Sequence, residues 1–428
     1  MTTEFRSEGA SPALPWPVGG MADVVRRRCL RLRSMHRAGG FVFAALLALV
    51  ALPATAHDAA MSKEGGAPLG ASAAFDPQGH LWMVDAKDGH VWLRRSDDLG
   101  RHFAEPIAVN ADAEPIYAEG ENRPKLAFGP DGEVYVSWSQ PRAQPYTGFV
   151  RFARSLDGGA HFSAPLTVHH DAAEITHRFD ALAVDGHGRV VVAWIDKRDL
   201  NAAKDAGQPY LGAAVYYSWS DDRGAHFAPE RKLADQSCEC CRIALAQTPD
   251  GNIAAFFRAI YDDNVRDHAY AVLGLGANPS SAERATFSNW QIAGCPHHGP
   301  GLAISHDGVR HAVWYEASQG PALWYGQLDP GHPAKRTLQF ASAGASHADV
   351  AAQDRHVWLV WNQMDAKGYT LMLRESLDGG ANFQPPRALA ESVAAVGSPQ
   401  LLMRQGKTYV AWNTTTGFRL LPTNEEAP

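Results

Sequence analysis

Cysteine is scarce in this chain of 428 residues: there are five, and three of them fall in one short stretch, SCECCRIA, Ser237–Ala244. So few thiols exclude a small disulfide-stapled scaffold and leave an ordinary apolar core to hold the fold. Basic charge is scarce as well. Lys and Arg number 39 against 46 Asp and Glu, with no basic stripe, which excludes a nucleic-acid partner. The apolar run Phe41–Leu52 is 12 residues long, too short to span a bilayer comfortably, and nothing after it resembles a membrane helix. No stretch has the length and 3.6-residue period of a substantial helix, and no Pro/Ser-rich linker divides the chain. One continuous all-β domain is the expectation.

What is present begins with an export signal. Arg26, Arg27, Arg28, Arg31, Arg33 and Arg37 precede the apolar run, and the small-residue site ATA, Ala54–Ala56, follows it. That order predicts a signal peptide over 1–56 and a periplasmic or secreted protein with no membrane span once it is removed. Met35 is an alternative start, which would make 1–34 a mis-assigned extension. Cleavage removes seven basic and three acidic residues, taking the net charge from −7 to −11, and removes Cys29. Cys238, Cys240, Cys241 and Cys295 remain.

Self-similarity dominates the rest. SDDLGRHF, SLDGGAHF, SDDRGAHF and SLDGGANF share the pattern S-x-D-x-G-x-x-F. The matching positions are Ser96, Asp98, Gly100 and Phe103; Ser155, Asp157, Gly159 and Phe162; Ser220, Asp222, Gly224 and Phe227; and Ser376, Asp378, Gly380 and Phe383. Each reads as a hairpin turn, with Ser and Asp bonding nearby amides, Gly supplying a positive φ, and Phe packing the turn onto the sheet. Upstream of these turns, two-strand units such as RPKLAFGPDGEVYVSW recur seven times, starting near 70, 123, 178, 242, 299, 347 and 398. The spacing fits the blades of a β-propeller.

The turn pattern resembles the Asp box of the sialidase-like (BNR-repeat) propellers. The resemblance implies four-stranded antiparallel blades. The repeat count favours seven and comparison with true sialidases six. Residues 70–421 would form the propeller, 57–69 would complete the short last module, and 422–428 would be a tail. Four further stretches, THRFD, CECCR, NVRDHAYAV and GCPHHGP, are similar to an exported bacterial subgroup that carries C-x-C-C and C-P-H-H-G-P. That likeness identifies relatives without naming a reaction.

In such propellers the first residues of each innermost strand open on the ligand-binding face. Here these positions hold Gly70, Arg123, Arg178, Arg242, Gly299, His347 and Gly397. Cys238, Cys240 and Cys241 on blade four would then face Cys295, His297 and His298 on blade five. Three readings of the thiols stand open: disulfides, a copper or zinc site with His177, His268, His297, His298 or His347 as further ligands, and a catalytic thiol. His57, at the expected mature terminus, adds an amine–imidazole pair as a further copper ligand. Arg266 and Asp267 read as an ion pair bracing blade four.

Arg123, Arg178 and Arg242 form a candidate cradle for a small anionic ligand. A sialidase-type glycosidase is the enzymatic alternative, with Tyr117, Glu119, Glu121, Asp180, Tyr315 and Glu316 available for chemistry. The first innermost strand, GASAAFD, lacks the Arg-Ile-Pro signature of sialidases, and the arginines fall on consecutive blades. A protein-interaction propeller with structural disulfides is the third class.

Overall fold

The computed structural model describes residues 69–275 and 281–424. Its strands form seven antiparallel sheets, six of four strands and one of three, so the repeat count of seven holds and six blades are set aside. The first strands of the blades are β1 (Ser72–Phe75), β5 (Lys125–Phe128), β9 (His177–Val184), β13 (Ala244–Gln247), β17 (Gly301–Ile304), β21 (Ala345–Gln353) and β25 (Gln400–Arg404). Each touches the first strand of the next blade, and β25 touches β1, which closes the ring. Of the segment 57–69 expected to complete blade seven, only Leu69 is among the described residues. Its last strand, β27 (Gly417–Pro422), is followed by Thr423, which is fully buried and bonded to Thr408.

Stacking blade against blade explains the sequence pattern. The second and third strands of blade three, β10 (Val190–Asp196) and β11 (Ala213–Ser220), are buried along their whole length because neighbouring blades cover both faces. Tryptophans near the ends of second strands fill these interfaces. Trp194 shares a cluster with Tyr135 and Phe152 of blade two, and Trp361 of blade six meets Phe340 of blade five at 5.1 Å. A short helix, α1 (Arg198–Asp205), joins β10 to β11 and buries none of its residues, which leaves no apolar stripe for a sequence reading to find.

The four Asp boxes adopt one geometry. The serine hydroxyl accepts the glycine N–H at 2.8–2.9 Å, and the aspartate accepts both the serine O–H and an amide four residues on. Their phenylalanines do more than pin each turn to its own sheet. Phe227 packs on Phe152 of the preceding blade at 5.0 Å, Phe383 on Tyr325 at 4.8 Å, and Phe103 on Phe418 of blade seven at 5.8 Å. The boxes staple adjacent blades at the periphery.

Candidate functional site

Cys238–Arg242 links the last strand of blade three, β12 (Arg231–Ser237), to β13 of blade four. The Cys238 N–H donates to the Arg258 carbonyl at 2.9 Å, which pins this crossing to β14 (Ile253–Arg258). Cys238 Sγ lies 3.3 Å from Cys241 Sγ and 3.8 Å from Cys240 Sγ. Cys295, on the loop that enters β17, completes the group: the Sγ atoms of Cys238, Cys240 and Cys295 lie within 4.8 Å of one another. The first three thiols are buried and Cys295 is exposed.

All four cysteines are free in this structure, so none of the expected disulfides is formed here. The physical reason is convergence of the sulfurs as a group. Cys238 sits at the centre of three neighbours, and its nearest sulfur is 3.3 Å away against about 2.0 Å for a bond. Hydrogen bonds from the surrounding thiols hold Cys238 well below the usual thiol range, aided by the charge of Arg258 and opposed by burial. The same hydrogen bonds push Cys240 and Cys241 up, and Cys295 to about 11.

Arg258 itself is 1% exposed and faces no carboxylate among the described residues. Its guanidinium donates to the carbonyls of Arg266, His298 and Tyr315 at 3.2, 3.1 and 2.8 Å. It thus ties the thiol segment to the loop that carries Cys295. An arginine ending the apolar strand IAAFFR was the available signal, and spacing alone gave it no partner.

The histidines go elsewhere. His298 stacks on Tyr315 at 4.2 Å, 5.0 Å from His347, and burial pushes its pKa down to about 3. His297 is exposed with φ +54°. His177 is fully buried in blade three, bonded to Asp196 at 2.9 Å and stacked on His169 at 3.9 Å. His268 is buried against Phe256, its Nδ1 3.2 Å from Thr286 Oγ1, and its Nε2 makes no hydrogen bond. None of the five joins the thiol group. Asp267, expected to pair with Arg266, pairs instead with Arg284, while Arg266 donates to the Ile292 carbonyl at 3.2 Å.

At the channel mouth Glu121 is the organising residue. It accepts from Arg242 Nη1 at 3.0 Å and from the Gly299 N–H at 2.8 Å, and lies 3.5 Å from His347 Nδ1. Arg242 also donates to the carbonyls of Pro300 and Ala348, so one ion pair stitches blades two, four, five and six. Despite burial, the charge of Arg242 and the hydrogen bonds from His347 and Gly299 hold the Glu121 carboxyl well below its ordinary range. Arg123 donates to the Ser398 carbonyl of blade seven at 3.2 Å. Arg178 lies over the Tyr117 ring at 4.0 Å. The three arginines are thus engaged separately, Arg242 by a carboxylate of the chain itself. Asp180 accepts from Ser137 and Ser139 at 2.6 and 3.0 Å, and Glu316 from Ser318 at 2.5 Å.

No family model matches this chain, and no curated protein matches it. Solved structures do. The polysaccharide lyase Uly1 superposes with a TM-score of 0.53 at 10% identity, covering 86% of this chain and 93% of its own. A PL25 ulvan lyase bound to -[GlcA(1-4)Rha3S]- gives 0.52 at 9%, covering 82% and 91%. The Hadza microbial sialidase Hz136 gives 0.47 at 14%, covering 79% and 74%. The chain shares its overall fold with the two lyase structures. At these identities the likeness concerns the fold, since one propeller scaffold carries many unrelated chemistries.

Proposed function

We propose that this propeller binds one thiophilic metal ion, copper(I) or zinc, through Cys238, Cys240 and Cys295. The observation that carries the reading is the gathering of three Sγ atoms within 4.8 Å of one another from two segments more than fifty residues apart in sequence. An ion bound at about 2.3 Å from each of three sulfurs needs them about 4.0 Å apart, so small side-chain movements suffice. Thiolate donors select copper(I) and zinc over harder cations. Cys241, 3.3 Å from Cys238, lies outside this three-sulfur group. Arg258 offsets part of the negative charge that thiolates bring into a buried site. Export to the periplasm or medium belongs to the same proposal, because its leader lies outside the described residues.

The test is titration of reduced protein with copper(I) or zinc against a chromophoric chelator. The expected result is one ion per chain, with Cys238→Ser and Cys295→Ser each losing more than the roughly 10–100-fold that an outer-shell partner costs. His298→Ala should leave affinity unchanged. Equal affinity in wild type and Cys238→Ser overturns the reading.

A further inference from the structure

We infer that the same cluster performs thiol–disulfide exchange, with exposed Cys295 receiving oxidising equivalents from an external low-molecular-weight disulfide and passing them to the buried Cys238–Cys241 pair. This activity goes beyond metal binding and does not depend on it, although the two exclude each other in time because both use Cys238.

Three features of the cluster lead there. Cys238 and Cys241 stand in C-x-x-C spacing with sulfurs 3.3 Å apart, so a bond between them requires closure of about 1.3 Å. Both are buried, at 1% and 2% exposure, and an external disulfide cannot reach either. Cys295 alone among the four combines exposure with membership of the sulfur group that contains Cys238. Exchange proceeds only where a thiolate can approach a disulfide sulfur, so access makes Cys295 the port; Cys238 and Cys240 both lie within 4.8 Å of it, and the 3.3 Å contact with Cys241 makes Cys238 the successor.

The steps balance. The Cys295 thiol gives up its proton and attacks R–S–S–R, forming Cys295–S–S–R and releasing one R–S⁻, which takes up that proton. The Cys238 thiolate then attacks Cys295 Sγ, forming Cys238–Cys295 and releasing the second R–S⁻. Finally the Cys241 thiolate attacks Cys238 Sγ, forming Cys238–Cys241 and restoring the Cys295 thiolate. Two electrons pass to the external disulfide, and the thiol protons are taken up by the two released thiolates.

The experiment exposes metal-free, reduced, full-length protein to oxidised glutathione, followed by acid quench, alkylation and peptide mapping. The expected end point is a Cys238–Cys241 bridge with Cys295 free and two glutathione molecules released per chain. Cys295→Ser should slow this by about tenfold or more, and Cys241→Ser should stop at Cys238–Cys295. Circular dichroism checks that each variant folds. If Cys241→Ser does not fold, early quench points on wild type read the same order, with an adduct on Cys295 before any bridge. An unchanged rate in Cys295→Ser, a glutathione adduct that never resolves, or a Cys240–Cys295 end point overturns the inference. Protein that fails here but binds metal when reduced keeps the metal reading, and the converse result separates them equally.

Discussion

Acidification from about pH 7.5 to about 5 should charge histidines that the folded chain keeps neutral. His169 is 5% exposed, its Nδ1–H donating to the Asp171 carbonyl at 2.6 Å while Nε2 accepts the Val150 N–H at 3.2 Å. A proton on Nε2 abolishes the second bond. Burial and the neighbouring His177 push its pKa down to about 4. His311, 1% exposed and 2.7 Å from Tyr325 Oη, is likewise pushed down to about 4 by burial. An unfolded histidine titrates near 6.5. The unfolded state therefore binds more protons between about 6.5 and 4, so stability is fully present above that window and is lost as pH falls through it. At about pH 5 the difference is about 1.5 units, or about 2 kcal/mol per histidine and about 4 for the pair. Asp85 and Asp349, whose pKa values burial raises, act in the opposite sense and trim this figure. Domains of this kind are stable by about 5–15 kcal/mol, so the loss should be plain in urea midpoints at the two pH values. His311→Gln should remove about 2 kcal/mol of the pH-dependent loss, to which buried His268 and His298 also contribute. Equal stability at both pH values, or an unchanged pH slope in His311→Gln, refutes the assignment of these rings as neutral.

Two substitutions test the scaffold around the site. Glu121→Ala leaves half-buried Arg242 without its carboxylate and should cost more in urea unfolding than a surface ion pair, which is worth under about 1 kcal/mol, and up to the about 3–5 kcal/mol of a fully buried one. Gly380→Ala places a methyl 2.0 Å from Tyr325 Oη at a φ of +78°, and should lower the melting temperature more than Gly379→Ala, where φ is +72° but the space is open. Equal effects at the two glycines would show that interblade packing does not decide the cost.

The amino-acid sequence by itself determined the scaffold. Alternating strands, glycine turns and Asp boxes are local patterns, and seven copies at near-equal spacing leave the chain few ways to bury its apolar faces other than a closed ring of blades. The ring brings Cys295 to the CECC segment, a meeting that the repeat alignment anticipates. The choice of partners at the mouth belongs to the tertiary structure. Phe179, His297 and His347 all take positive φ, so the residues around them leave the strand alternation that predicts which way a side chain points. His298 turns to Tyr315, and Glu121 reaches across the mouth to Arg242. Arg258 finds carbonyls contributed by two blades. These pairings join segments tens to hundreds of residues apart with no repeat to register them. Burial and charge balance select them only once the blades are stacked.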